Sequence, residues 1–600
     1  MYTTASVLLK TLADVGVTHI FANWGNDHPA ILEDLERQRT DGGGKALLDV
    51  VTCPNEMVAL SAAHGYSQVT GKPAAVIVHV DVGTQALAGA VHNADKGQAP
   101  VIIFAGASPF SVSGEHKGSK NEWPMWGQDA PDQPAIVRQF MRFTAQIMSG
   151  KTVAKTVMRA WQFATSSPKG PVYLWARRET LQEEIDPSVL QTPVDISKWP
   201  SVQPSGLSPT ALNTIVDALT NAEFPLIIAG NTGRNPQTVS LLATLSNLRS
   251  IAVCTAISPA LCVPYSHPYL VGSSFDGRIA HLEKADVVLI IEADVPWMDT
   301  MGSKLVDDTR VFVLDVDPLK QQFGWSHVDA EMLCRVDSAV ALGQLINAVR
   351  LADLQTSDKG ALNARMYERG TKLRAFHEEW MKELLAAEEM AMGANGTVLT
   401  VPYVLRALRK AAQAHVPSGN NILWLNEGIS NCDLVWNHIQ PEYPGSMIMS
   451  GGSSLGWALG AAVGARLGAQ VAGKDYELIV AVVGDGDFLF GVPSAAYWMA
   501  RRYKTPFLTV ILNNGGWASP RYSMLGMYPN GVGSKATGQQ LNVSFGPDMP
   551  DYAQIAAAAG DAWGRRVASA SELQSALEEG IRAVVENKRS AVVDCILEQI

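Results

Sequence analysis

Two short polar segments, each at the end of an apolar run, carry the most specific chemistry in this sequence. Residues 477–483, ELIVAVV, lead into Gly484-Asp485-Gly486-Asp487, and residues 506–512, PFLTVIL, lead into Asn513-Asn514-Gly515-Gly516. Glycines at a strand end free backbone N–H groups and remove the Cβ that would block a phosphate. The 26 residues 487–512 that separate the two segments hold about one helix and one strand, so adjacent parallel strands would set Asp485 beside Asn514. A carboxylate, an amide oxygen and a freed backbone carbonyl are hard donors that suit Mg²⁺ shared with a diphosphate. Zinc would ask for His or thiolate, and neither is here. Gly484, Gly486 and Gly491 resemble a stretched dinucleotide fingerprint, but that motif needs an acid ~20 residues on, and no Asp or Glu lies between Asp487 and Asp548.

Alternating apolar strands and amphipathic helices predict an α/β chain of three doubly wound parallel-sheet domains, at residues 1–185, 206–350 and 395–600. The first holds helices over 4–15, 55–70 and 84–96 and strands over 19–23, 46–52, 74–80 and 101–105. The second holds strands over 225–229, 250–255, 286–292 and 310–315. A charged helical stretch over 358–392 reads as a solvated connector. Residues 446–465 lack charge, and Gly452, Gly456, Gly460, Gly464 and Gly468 recur every four residues. In a membrane this would be a dimer seam; four Ser within the stretch and Arg466 beside it predict a soluble helix whose small face lets another backbone come close.

The balance of 47 basic and 58 acidic residues, net charge −11, offers no basic stripe for nucleic acid. The 47% hydrophobic content and mean hydropathy of +0.05 exclude disorder and predict no membrane partner. Six scattered cysteines without CxxC spacing, and an N-terminal segment without a secretory pattern, lead to the expectation of a cytoplasmic protein with reduced thiols.

The GDG, 26-residue, NN spacing resembles the diphosphate and metal signature of the thiamine diphosphate enzymes. The chain is similar to the acetolactate synthase-like superfamily, which includes benzoylformate decarboxylase, benzaldehyde lyase and pyruvate oxidase. The resemblance implies a pyrimidine-binding, a central and a diphosphate-binding domain, in that order. It implies that the Asp485 and Asn514 side chains and the Gly516 carbonyl hold Mg²⁺, with Gly484, Gly486, Asp487 and Trp517 around the cofactor. Glu427 and Gly428, in Asn426-Glu427-Gly428-Ile429-Ser430, resemble the segment beside the diphosphate. Ser453 and Leu455, in Gly452-Ser453-Ser454-Leu455-Gly456, resemble the loop whose large apolar residue wedges the cofactor into its bent form. Cys53-Pro54-Asn55-Glu56 resembles the segment of the glutamate that hydrogen-bonds the pyrimidine, where a buried acid of raised pKa shares its proton. In the family this glutamate and the diphosphate domain come from different subunits, which implies a homodimer or homotetramer.

The resemblance leaves the substrate open. Six of twelve histidines fall within the first 116 residues. Asn26 and His28, in Trp24-Gly25-Asn26-Asp27-His28, and His116 and Gln128, in residues 114–133, are the candidates to face substrate; His79 and His92 read equally as packing or surface histidines, and the role of His64 is open. The adjacent His pair of pyruvate decarboxylases and the Gly-Lys-Asp-Ala-Phe-Gln wording of acetolactate synthases are absent. The leading expectation is decarboxylation of a small 2-oxo acid followed by ligation to a second carbonyl. Simple decarboxylation and cleavage of 2-hydroxy ketones or 2-hydroxyacyl compounds are the alternatives, and a silent scaffold is disfavoured because Glu56, Asp485, Asn514 and Leu455 are all present. Residues 229–234 form a candidate nucleotide loop, but a short Gly pair is weak, and no essential FAD is expected.

Overall fold

The computed structural model describes the chain except residues 192–193, 322, 325–327, 356–358 and 393–397. Three six-stranded sheets follow one another, each parallel throughout. The first has the order Asp49–Thr52, His19–Ala22, Ala74–Val78, Val101–Ala107, Val172–Arg177, Phe143–Gln146. The second runs Leu270–Ser274, Ala252–Ala256, Pro225–Ala229, Val287–Ile291, Arg310–Asp315, Met332–Arg335. The third runs Met447–Ile448, Ile422–Glu427, Leu478–Gly484, Leu508–Asn513, Ala591–Ile596, Trp563–Val567. This is the α/β architecture expected. Central strands such as AAVIV and VVLII are buried at every position because helices cover both faces.

The first-domain helices span Thr4–Asp14, Glu56–Thr70 and Asp81–Lys96. The last begins three residues before the expected start, with Asp81 in the first turn, where free N–H groups favour a carboxylate. A helix at Pro29–Asp41 was not anticipated; Pro29 suits its first turn, and Ile31 and Leu35 are buried.

The charged connector is the helix Lys359–Glu388; the helix before it, Ser338–Gln355, packs on Pro209–Asn221 and Pro236–Arg249. The expected starts of the connector at 358 and of the third domain at 395 lie outside the described residues. The connector is more than solvated spacer. Buried Arg369 donates to the carbonyls of Leu219 (3.4 Å), Ala222 (2.7 Å) and Arg249. Buried Glu388 accepts from Arg409 (3.0 Å) and lies 3.0 Å from Nδ1 of buried His438.

The glycine-spaced helix, Ala458–Ala472, packs on Glu56–Thr70 of the first domain. Backbones approach so closely that a Cβ at Gly464 would stand 1.8 Å from the Ala62 carbonyl oxygen, and one at Gly65 2.3 Å from that of Ala461. The seam thus joins the first and third sheets within one chain. Gly464→Ala is expected to destabilise by about 1–3 kcal/mol through overpacking, read as a lower urea midpoint at unchanged slope. No helix among the described residues is long and apolar enough to cross a membrane.

Candidate active site

Strands Leu478–Gly484 and Leu508–Asn513 are neighbours, with Gly484 opposite Leu512, so Asp485 emerges beside the Asn513-Asn514 turn. Asp485 is buried; its Oδ1 accepts the Gly486 N–H at 2.8 Å, and the N–H groups of Gly515 and Gly516 act on the same carboxyl. Its Oδ2 is buried without a hydrogen-bond partner. Burial pushes the pKa of Asp485 up to about 6. Asp487 Oδ2 accepts from Gly484 N–H at 3.1 Å, while its Oδ1 is buried and unpartnered. Burial, reinforced by the charge of Asp485, pushes Asp487 up to about 7. Asn514 Oδ1 accepts the Gly516 N–H at 3.3 Å. Gly516 sits at φ +153°, where a Cβ would come within 2.1 Å of the Val543 carbonyl oxygen.

Orphaned carboxylate oxygens and crowded negative charge fit a hard divalent cation. Among the described residues no three His, Cys, Asp or Glu side chains gather to hold an ion by themselves. The Asn514 amide and the Gly516 backbone lie at the end of the strand next to that of Asp485. Glu427, in the segment that the resemblance sets beside the diphosphate, is buried. Its carboxylate accepts the N–H groups of Trp457 (2.7 Å) and Ala458 (2.8 Å), fastening the start of the glycine-spaced helix. Burial, then the charge of Asp487, raises its pKa well above the usual carboxylate range.

At the carboxyl edge of the first sheet, the strands ending at Thr52, Ala22, Val78 and Ala107 lie in consecutive order. Their exits carry Glu56, Asp27, His79 and, further along the last exit, Gln128. Glu56 is the first residue of its helix, half-buried, with Asn55 capping by accepting from Val58 N–H at 3.1 Å. Asp27 is buried and hydrogen-bonded to His79 Nδ1. Burial opposes ionisation of Asp27, but His28 and His79 outweigh it and hold its pKa below the ordinary value. Burial would likewise lower His79, yet the bond and charge of Asp27, then Asp81 and Gln128, raise it.

His28, a sequence candidate for substrate, is fully buried. Its Nδ1 accepts the Gly25 N–H at 3.1 Å, its Nε2 lies 3.4 Å from Asp27 Oδ2, and burial lowers its pKa. It supports Asp27 and has no open face. Asn26 is hydrogen-bonded to Glu122 at 2.9 Å near the surface, and exposed His116 packs edge-on against Phe110, apart from the cluster. Gln128 is the loop residue that joins it. From sequence His79 reads only as a packing or surface histidine, although it follows an apolar strand as directly as Asp485 follows its own.

Family comparison matches residues 2–132 to the thiamine pyrophosphate enzyme N-terminal TPP binding domain, 212–343 to the central domain and 428–595 to the C-terminal TPP binding domain. The chain belongs to the thiamine diphosphate enzymes. It is similar to acetolactate synthase of Bacillus subtilis, 21% identical over 96% of this chain and 91% of that one. It is 23% identical to 2-hydroxyacyl-CoA lyase of Arabidopsis thaliana, over 99% and 95%. Among solved structures, the Rhodococcus jostii thiamine diphosphate-dependent 4-hydroxybenzoylformate decarboxylase superposes with TM-score 0.75 at 20% identity, covering 100% of this chain and 99% of that one. The protein is therefore a thiamine-dependent enzyme of carbon–carbon bond chemistry.

In this thiamine diphosphate enzyme the loop before the glycine-spaced helix is held from the first domain. Asn93 clamps Ser454 twice, donating to its carbonyl at 2.8 Å and accepting from its N–H at 3.0 Å. His92 Nε2 stands 3.2 Å from Ser453 Oγ, a bond the sequence did not reveal. Leu455, between these clamps and Gly456, is only half-buried. Gly428 N–H bonds Asn426 Oδ1 at 3.2 Å, shaping its turn. Trp517 lies over Gly486, where a Cβ would come within 2.3 Å of the indole, and packs edge-on against Phe545. His64 is fully buried against Trp457, and burial, then Arg234, lowers its pKa to about 3. In the candidate nucleotide loop the glycines meet protein: a Cβ would stand 2.6 Å from Ala293 at Gly230 and 2.2 Å from the Leu261 carbonyl oxygen at Gly233.

Proposed function

We propose that this enzyme decarboxylates a small 2-oxo acid with thiamine diphosphate and Mg²⁺, and that His79 supplies the proton that releases the product as an aldehyde. The observation that carries this reading is the Asp27–His79 pair at the same sheet edge as Glu56. Asp485, Asn514 and the Gly516 carbonyl would hold Mg²⁺, Gly484, Gly486 and Asp487 would line the diphosphate, and Glu56 would hold the pyrimidine. Thiamine diphosphate, when bound, supplies a nucleophilic carbon and an electron sink for the loss of CO₂. Glu56 would exchange a proton with the pyrimidine through its carboxyl, and half-buried Leu455 offers an apolar support. Asp27 directs the His79 ring so that Nδ1 is engaged and Nε2 is left to deliver a proton.

Ligation of the decarboxylated donor to a second carbonyl, the expectation from sequence, competes with this protonation. Proton NMR of pyruvate and benzoylformate turnover in D₂O separates them: aldehyde carrying solvent deuterium supports the reading, and acetolactate, acetoin or benzoin-type products return it to carboligation. His79→Ala is expected to lower aldehyde release by about 10- to 100-fold and to raise the share of ligated product. If the aldehyde rate is unchanged, His79 is not the donor.

In this reading the site is completed by Glu56 of a second copy, as the resemblance implies. Exposed Trp123, Trp126, Met527 and Tyr528 offer apolar surface for that pairing. Light scattering on the purified enzyme is expected to give a dimer or tetramer; a monomer with full activity would end this part. The reading needs no flavin, so the protein should purify without flavin's visible absorbance, and a cytoplasmic location fits its six free cysteines.

A further inference from the structure

At the first-domain edge, two glycines leave room for one pair of side chains. A Cβ at Gly25 would stand 1.8 Å from His79 Nδ1, and a Cβ at Gly106 would stand 1.6 Å from Asp27 Oδ2. Neither glycine has positive φ, so backbone conformation does not demand them. They are needed for space. Each missing Cβ admits one member of the Asp27–His79 pair, from loops that follow different strands. His28 closes the far side of Asp27, with its Nδ1 spent on Gly25 N–H and its Nε2 turned to the carboxylate. The groups that act on His79 are Asp27 from the loop after His19–Ala22, Asp81 from its own helix start, and Gln128 from the loop after Val101–Ala107. No lysine or arginine is among them.

We propose that Asp27 is a positioning residue for this reaction: seated in the space left by Gly106, its carboxylate accepts the His79 Nδ1 proton and so fixes the ring with Nε2 toward the reacting carbon. The proposal rests on the reading of His79 as proton donor. The balance is simple. A 2-oxo carboxylate plus one proton gives an aldehyde and CO₂; the proton leaves Nε2, the ring becomes neutral, and water restores the proton. Removing the carboxylate would free the ring to turn and would disfavour the doubly protonated ring from which Nε2 delivers its proton, slowing the transfer without removing the imidazole.

The test uses the enzyme labelled with [ε1-¹³C]histidine, the His79 resonance being identified by its loss in His79→Gln. In Asp27→Asn the His79 titration midpoint is expected to fall by about one pH unit or more, and turnover by about tenfold, with thiamine diphosphate still bound. Gly106→Ala, which keeps Asp27 but takes its space, is expected to move the midpoint the same way. Should either variant fail to fold, ¹⁵N shifts of the wild-type ring decide: Nδ1 protonated at neutral pH supports the pairing, and a proton on Nε2 alone overturns it. An unmoved midpoint in both variants also overturns it. A moved midpoint together with full turnover in His79→Ala overturns the donor reading alone, leaving the pairing intact.

Discussion

Glu56→Gln is expected to lower turnover by about a thousandfold, or about 4 kcal/mol of barrier, while the cofactor still binds. The substitution is nearly isosteric and keeps Asn55, the helix cap and the half-buried setting of residue 56 unchanged. A glutamine can still hydrogen-bond a ring nitrogen, but it has no proton to share. The loss should therefore appear in the chemical step: kcat falls, and exchange of the cofactor's C2 proton with D₂O slows by a similar factor. Binding of thiamine diphosphate, followed by quenching of protein fluorescence, should change far less. Full turnover in Glu56→Gln would remove this residue from the chemistry, and unchanged C2 exchange with slow turnover would move its role to a later step.

What the sequence made legible is what depends on short-range order. The Asp485 and Asn514 turns could be read because one helix and one strand separate them, and adjacent parallel strands leave few places for their ends. The glycine seam was readable as a helix with a small face, though its partner, Glu56–Thr70, is some 400 residues away and could not be named. Two edge strands were missed because their residues do not form an apolar run: Met332–Arg335 and residues 563–566 of Trp563–Val567 alternate between half-buried and exposed positions. The proton-handling cluster was illegible for another reason. It unites residues 25, 27, 28, 79, 106 and 128, and nothing in the local pattern says that two missing Cβ atoms make room for Asp27 and His79. His28 and His79 look alike in sequence, and only long-range packing seals one and leaves the other half open. The partners of Glu427 were illegible for a related reason, since the N–H groups it satisfies belong to residues 457 and 458.

Asp485→Asn is expected to weaken Mg²⁺-dependent binding of thiamine diphosphate by on the order of a hundredfold or more, and at the same time to stabilise the cofactor-free protein. Both effects have one cause. The Asp485 carboxylate is buried with Oδ2 unpartnered, an arrangement that costs stability until a cation compensates it. Its pKa in the folded protein, about 6, lies above the ordinary carboxylate value, so the penalty grows as pH rises from about 4 to 6 and is complete above that. A carboxyl raised this far from its ordinary value costs about 3 kcal/mol when ionised. Urea unfolding of the cofactor-free wild type should thus lose stability over this rise, and Asp485→Asn should flatten that part of the profile. Calorimetry with Mg²⁺ and thiamine diphosphate supplies the second arm. If the variant binds the cofactor as tightly as wild type, Asp485 is a structural acid and the donor set of Asp485, Asn514 and Gly516 is wrong. If binding is lost while the cofactor-free profile keeps its slope, the penalty belongs to Asp487, whose unpartnered Oδ1 makes it the next residue to replace.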